Sequence, residues 1–457
     1  MQHDKIVVGL DIGTTKICAL VGRKNEFGKL EILGMGKAVS EGVVRGIVSN
    51  IDKTVDAIKK AIRQAEEQSG INIGVVNVGI AGQHIKSLQH NGSITRASAD
   101  NEITQADVER LTSDMYRLVT PPGSQIIHVM PQDYKVDYEE GIMDPVGMSG
   151  VRLEGNFHII TAQSTAINNI HKCVMKAGLE IDNLILEPLA SSMSVLSEEE
   201  KEAGVALIDI GGGTTDLAIF KDGIIRHAAV LPFGGNIVTS DIKQGCLVMQ
   251  NQAEQLKVKF GKAIAEEASE YEIVSIPGLR DRAPKEISLK NLAYIIEARM
   301  EEIVELVYAE IQRLGFQDKL AAGIVLTGGG SQLQNLVQLT EYVTGMDTRI
   351  GYPNEHLGKS KIEAVKSPMY ATTVGLVLAG YRSIDDRLAP RQDEPEQQYR
   401  PAPEARTATP ATPAQPTAQQ PAQQPEPKKP SGAGKFFQDI ISRTKGLLID
   451  DFDDKQY

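Results

Sequence analysis

The chain has 457 residues, enough at roughly 100 to 200 residues per domain for two to four domains, which excludes a small stapled fold. Its net charge of −12 offers a nucleic acid duplex no general basic face, so any basic site is local. Cys18, Cys173 and Cys246 are odd in number and lack metal-ligand spacing, which points to a reducing compartment. No stretch reaches the roughly 18 apolar residues that span a bilayer, so a cytosolic protein without a spanning helix is expected.

An apolar strand over residues 6–10 ends in Asp11, and strands over 17–21 and 30–39 follow it. Ile51, Val55, Ile58, Ile62 and Ala65 repeat at helical spacing, with Asn50 or Asp52 to cap the start and Gly70 to end the helix. A strand over 75–80 comes next. Residues 83–161 then form a separate stretch of strand-like pieces around a charged helix over 104–118, closing with a strand over 157–162.

The second half repeats the plan. An apolar run over 205–210 contains Asp209 near its end, Gly211, Gly212, Gly213, Thr214 and Thr215 follow, and a strand over 217–220 returns to a turn at Asp222 and Gly223. The parallel with Asp11, Gly13, Thr14 and Thr15 suggests an internal duplication of a strand-rich α/β unit, with a ligand cleft between the halves. A third glycine loop, Gly328, Gly329 and Gly330, follows the apolar strand over 324–326 and precedes a helical pattern at Leu333, Leu336 and Leu339.

Eleven of the 21 prolines lie between Pro390 and Pro430. Residues 389–434 hold Tyr399 as their only large apolar or aromatic side chain, too little to offset ordering entropy, and read as a disordered tether. Beyond it Phe436, Phe437, Ile440, Ile441, Leu447 and Leu448 fall on one helical stripe flanked by Lys435, Arg443 and Lys445, the pattern of an interfacial helix on anionic lipid. Half-immersed, such a stripe contributes several kcal/mol, at roughly 1.5–3 for each fully buried large side chain. That is a weak anchor, which becomes firm when assembled subunits act together.

The chemistry lies in the loops. Gly and Thr between two strands bring backbone N–H groups and hydroxyls close to an anion, and Asp11 and Asp209 can each hold a hydrated Mg²⁺. Two such loops facing each other would clamp a nucleoside triphosphate, with the Lys16 ammonium reaching a β- or γ-phosphate. Neither loop is a Walker A motif, because the Gly-Lys-Ser/Thr ending is missing and each loop returns to a strand. Backbone at Gly328, Gly329 and Gly330 could pass flat beneath a purine or ribose.

In the correct order across residues 6–380, the two phosphate loops, Glu187-Pro188-Leu189-Ala190, the Gly328 loop and Ala371-Thr372-Thr373-Val374-Gly375 resemble the five-motif signature of the actin, Hsp70 and sugar-kinase superfamily. Gly79-Ile80-Ala81-Gly82-Gln83-His84-Ile85, Pro131-Gln132-Asp133-Tyr134 and Asp144-Pro145-Val146-Gly147-Met148-Ser149-Gly150 resemble, within it, the FtsA family of bacterial cell-division actin homologues.

The resemblance implies a duplicated actin-like ATPase fold with an FtsA-type subdomain 1C. Subdomain 1A would take residues 1–83, 163–204 and 359–388, with 1C inserted at 84–162. Subdomain 2A would take 205–232 and 308–358, with 2B at 233–307, followed by the tether at 389–434 and the membrane helix with its acidic end at 435–457. It also implies ATP with Mg²⁺ as ligand, Glu254 and Lys257 at the ribose or adenine, and Gly328, Gly329 and Gly330 at the base. Glu187 would orient water for at most weak hydrolysis, with Thr215 assisting. The implied partners are further copies in a filament, the C-terminal peptide of FtsZ near Arg299, and other division proteins at 84–162, all on the cytoplasmic face of the membrane at the division site. A small-molecule kinase of the same superfamily and a pilus-assembly relative are the alternatives.

Overall fold

The computed structural model describes residues 5–96, 102–278, 283–358 and 362–388. The expected tether over 389–434 and membrane helix, with Lys435, Phe436, Phe437, Ile440, Ile441, Arg443, Lys445, Leu447 and Leu448, lie outside the described residues.

Strand Ile6–Ile12 turns back into Lys16–Lys24, in register from Ile6 opposite Arg23 to Ile12 opposite Ile17, and Leu30–Val39 pairs beyond it. Both faces of the first two strands are buried, so they read as continuous apolar runs rather than alternating ones. Helix Ile51–Ser69 begins where the Asn50 side chain accepts from the Lys53 N–H, ends at a left-handed Gly70, and buries Val55, Ile58 and Ile62. Val75–Ile80 and Glu180–Leu186 then add in parallel, completing a five-stranded sheet.

The second sheet has the same plan. Val205–Ile210 pairs antiparallel with Thr215–Lys221, which pairs with Ile224–Leu231, while Ile324–Thr327 and Thr348–Ile350 add in parallel on the other side. Asp209 stands opposite Asp216 as Asp11 stands opposite Cys18, so even the hairpin register is duplicated. The helix expected from Leu333 starts later: a short 3-10 turn, Gly330–Gln332, comes first, and helix Leu336–Thr344 begins only after Asn335 at φ 63°. A left-handed residue cannot continue a right-handed helix.

Between the halves of the first sheet, strands Lys86–Thr95, Arg152–Gln163, Ser124–Val136 and Glu139–Ile142 form a separate antiparallel sheet under helix Gln105–Tyr116. A reciprocal cap of Thr104 and Asp107 starts that helix. Its core holds Leu111, Leu153 and Phe157, with Tyr134 meeting Phe157 edge-to-face at 6.4 Å. Gln132 ties this inserted sheet to the second half by donating to the Ile225 carbonyl at 2.8 Å.

Helices Gly235–Gly245, Gln250–Phe260 and Leu289–Arg313 build the outer part of the second half. Helix Ala371–Leu388 carries the chain back to the first half, where it packs against Ile6–Ile12 and helix Glu187–Val195. Among the described residues no helix is long and apolar enough to cross a membrane.

Candidate nucleotide cleft

The two glycine loops close in the same way, with the Gly13 N–H donating to the Lys16 carbonyl at 3.1 Å and the Gly211 N–H to the Thr214 carbonyl at 2.9 Å. They face each other across the cleft so tightly that a Cβ on Gly212 would lie 1.8 Å from Thr15 Oγ1 and displace that hydroxyl. Gly213 meets Thr14 in the same way. From the second half, Gly328 passes close over the Asp209 carboxylate, Gly329 joins the lining, and Gly330 packs on Ile210. The partly open space between the loops is about 80 Å³, below the 300 Å³ or more of a small-molecule pocket.

Four carboxylates converge here. Asp11 accepts from Lys16 and from Thr373 Oγ1, each at 3.4 Å, and Asp209 accepts from Ser191 at 2.6 Å and Thr372 at 3.1 Å. Glu187 sits on the first turn of its helix, directly after the strand ending at Leu186. Asp216 is buried with its Oδ1 unpartnered. Burial, joined by repulsion from Asp11, Asp216 and Asp209, drives the Glu187 carboxyl far above its ordinary range. Burial, then Asp209 and Asp11, does the same to Asp216. Burial opposes the charge on Lys16, but Asp11 and the other negative neighbours outweigh it and hold the ammonium above its ordinary range. Such a cluster holds a shared proton or a cation. Among the described residues no three such side chains are placed to ligate a metal ion together, so a divalent ion here would keep its own waters and meet Asp11 and Asp209 through them.

Asp11, Gly13, Thr14, Thr15, Lys16, Asp209, Gly211, Gly212, Gly213, Thr214, Glu187, Gly328 and Gly329 all line this cleft. Thr215 is not part of that lining: its hydroxyl donates to the Phe233 carbonyl at 2.8 Å. Asp216, its neighbour on the opposite strand face, lines the cleft instead. Glu254 and Lys257 sit one layer behind. The Lys257 ammonium lies 2.8 Å from the Glu254 carboxylate and donates to the Gly235 carbonyl and Thr239 Oγ1, both at 2.9 Å. The Gly235 N–H in turn donates to the Gly211 carbonyl at 2.9 Å, so the pair braces the second loop. Arg299 is far from free: its guanidinium grips Asp241 on a neighbouring helix at 2.5 and 3.3 Å and also pairs with Glu302.

Asp216→Asn keeps the shape of a protonated acid and removes its ionisation. An acid with a raised folded pKa costs stability as pH climbs past its unfolded pKa, so at neutral pH the variant is expected to gain about 1 kcal/mol. Urea denaturation without nucleotide measures this; an unchanged or lower midpoint contradicts the strained carboxylate cluster.

Two halves of identical strand order around facing glycine hairpins define a protein of the actin-like ATPase fold. A type IV pilus biogenesis PilM–PilN complex shares that fold with a TM-score of 0.60 at 16% identity, over 82% of this chain and 98% of that one. The family model for cell division protein FtsA matches residues 206–375, and that for the SHS2 domain inserted in FtsA matches 82–161. Cell division protein FtsA of Pseudomonas aeruginosa is 43% identical over 389 residues, covering 85% of this chain and 92% of the relative. FtsA of Escherichia coli K12 is 39% identical over 386 residues, covering 83% and 91%. The chain belongs to the FtsA family of cell-division proteins. Neither the small-molecule kinase nor the pilus-assembly alternative accounts for that similarity.

Proposed function

We propose that this protein binds ATP with Mg²⁺ between its halves, polymerises on the cytoplasmic face of the cell membrane at the division site, and tethers FtsZ filaments there. The observation that carries the nucleotide part is the facing pair of glycine hairpins with four carboxylates and Lys16 between them. Bound Mg²⁺ would screen phosphate charge. Asp11 and Asp209 would hold its waters, and the N–H groups and hydroxyls of the two loops would bind phosphate oxygens. Glu187 would position water, and its raised pKa suits weak hydrolysis, since a protonated carboxyl cannot take a proton.

Membrane attachment rests on the basic, apolar stripe from Lys435 to Leu448, which suits anionic lipid and is weak enough to depend on assembly. Arg299 holds two outer helices of the second half together through Asp241, and the FtsZ C-terminal peptide would dock on that face. The inserted sheet, residues 84–162, would receive other division proteins.

The test is vesicle flotation with Mg·ATP and an FtsZ C-terminal peptide, using the full chain and a chain ending at residue 434. Anionic vesicles are expected to carry the full chain with the peptide, and the truncated chain is expected to stay at the bottom. Equal flotation of both chains defeats the anchor, and failure to bind Mg·ATP in solution defeats the nucleotide assignment.

A further inference from the structure

Beside the first phosphate loop, Val43–Val44 and Ile47–Val48 pair antiparallel, Val43 opposite Val48 and Val44 opposite Ile47, so Arg45 and Gly46 alone form the turn. Both have positive φ, 49° and 76°. Consecutive left-handed residues make the type I′ hairpin turn, whose usual first residue is Asn, Asp or Gly. Of the five non-glycine residues with positive φ among the described residues, three are Asp or Asn, which tolerate it; Arg45 and Leu247 are not of that kind. An arginine here strains the backbone, and strain of this sort persists where the site gains something from it.

The turn is fixed to the cleft. The Gly46 N–H donates to Thr14 Oγ1 at 3.0 Å, and Gly46 itself lines the cavity. From behind, the Ala81 carbonyl would stand 3.0 Å from a Cβ on Gly46. Arg45 is exposed, and among the described residues its side chain has no hydrogen bond or ion pair. Meanwhile the lining sets Lys16, its one lysine or arginine, against Asp11, Glu187, Asp209 and Asp216. A polyphosphate brought beside Asp11 and Asp209 gains from a further positive charge within reach of its terminal group.

We propose that Arg45 reads the terminal phosphate of a nucleoside triphosphate seated on Thr14 and Thr15, and so distinguishes triphosphate from diphosphate; this rests on the nucleotide reading above. Lys257 and the Gly328 loop belong to the second half, whereas Arg45 stands in the first, just outside the lining, on the turn whose Gly46 N–H holds Thr14. A guanidinium presents two parallel donors to phosphate oxygens and keeps its charge at any physiological pH. The rigid turn holds its backbone in place beforehand, and the side chain orders when the phosphate arrives.

The experiment is calorimetric titration of the full chain with Mg·ATP and with Mg·ADP, for the wild type and for Arg45→Ala, Arg45→Lys and Arg45→Gly. Arg45→Ala is expected to weaken ATP about tenfold, the size of one lost charge-assisted contact, and to leave ADP within about twofold. Arg45→Lys should recover part of the loss. Arg45→Gly separates folding from recognition: without nucleotide it should melt at a higher temperature than the wild type, because the backbone strain is gone, and still lose the preference for ATP. ATP affinities of the Ala and Gly variants within about twofold of the wild type overturn the role of Arg45 while leaving the nucleotide site standing. A wild type that binds neither nucleotide overturns both.

Discussion

Gly375→Ala is expected to destabilise the folded protein by about 3 kcal/mol and to weaken nucleotide binding with it. Helix Ala371–Leu388 crosses helix Glu187–Val195 at this point, and a Cβ on Gly375 would lie 1.8 Å from the Ala190 carbonyl oxygen and 2.3 Å from its carbon. Both obstacles are backbone, so no rotamer change relieves the clash and the helices must move apart. Overpacking usually costs about 1–3 kcal/mol, and the upper end applies where side chains cannot give. The consequence reaches the site because the same two helices hold its aspartates. Thr372 and Ser191 donate to Asp209, and Thr373 donates to Asp11. Denaturant midpoints and Mg·ATP titration of the same preparation check both effects. Gly74→Ala, where no atom lies within 4 Å of the added carbon, is the control and should be near neutral. A Gly375 variant as stable as that control would mean the helix pair slides freely.

The duplicated hairpins were legible because the phosphate loops repeat as letters, Asp-Ile-Gly each time, and apolar runs on either side could only be buried strands. Strand alternation adds a further constraint at the second loop. Thr215 and Asp216 are neighbours on one strand and point to opposite faces, so only one can face the cleft, and the register that sets Asp209 opposite Asp216 selects the aspartate. A four-residue loop between paired strands fixes that register in the sequence itself. Arg299 shows the opposite situation. Its helical position was readable, but its partner Asp241 lies 58 residues earlier, and no local pattern joins them. Glu254 and Lys257 stand between these cases: their spacing of three predicts an ion pair on one helix face, while their link to the second phosphate loop runs through Gly235 and exists only in three dimensions. The buried histidines were silent in the sequence, since a histidine in a strand says nothing of its burial.

Those histidines set the second large effect, a loss of stability between pH 6.5 and about 4. Burial pushes His128 down to about 4, and its Nε2 accepts the Leu186 N–H at 3.0 Å, which requires the neutral ring. Burial, with a contribution from His227, pushes His158 down to about 4 as well, partly opposed by its contact with the Ile225 backbone. In the unfolded chain both rings titrate near 6.5. Above that pH neither state is protonated and their contribution to stability is fully present. Below it the unfolded state takes up protons that the folded state refuses, so stability falls until about pH 4, by about 3 kcal/mol for each ring. Glu187 and Asp216 act in the opposite sense, since carboxyls with raised folded pKa gain stability as pH falls. Urea midpoints of the wild type and of His128→Gln with His158→Gln, compared at pH 7, 6 and 5, separate the two. The double variant should start lower at pH 7 and lose less on acidification, and equal slopes would remove the histidines from the account. The acid effect should also reach the nucleotide, because the N–H held by His128 belongs to the residue immediately before Glu187. The folded ring stays neutral down to about pH 4, so Mg·ATP affinity is expected to hold between pH 6.5 and 5 while stability falls, and to drop only near pH 4, where protonation removes the acceptor fixing the start of the Glu187–Val195 helix.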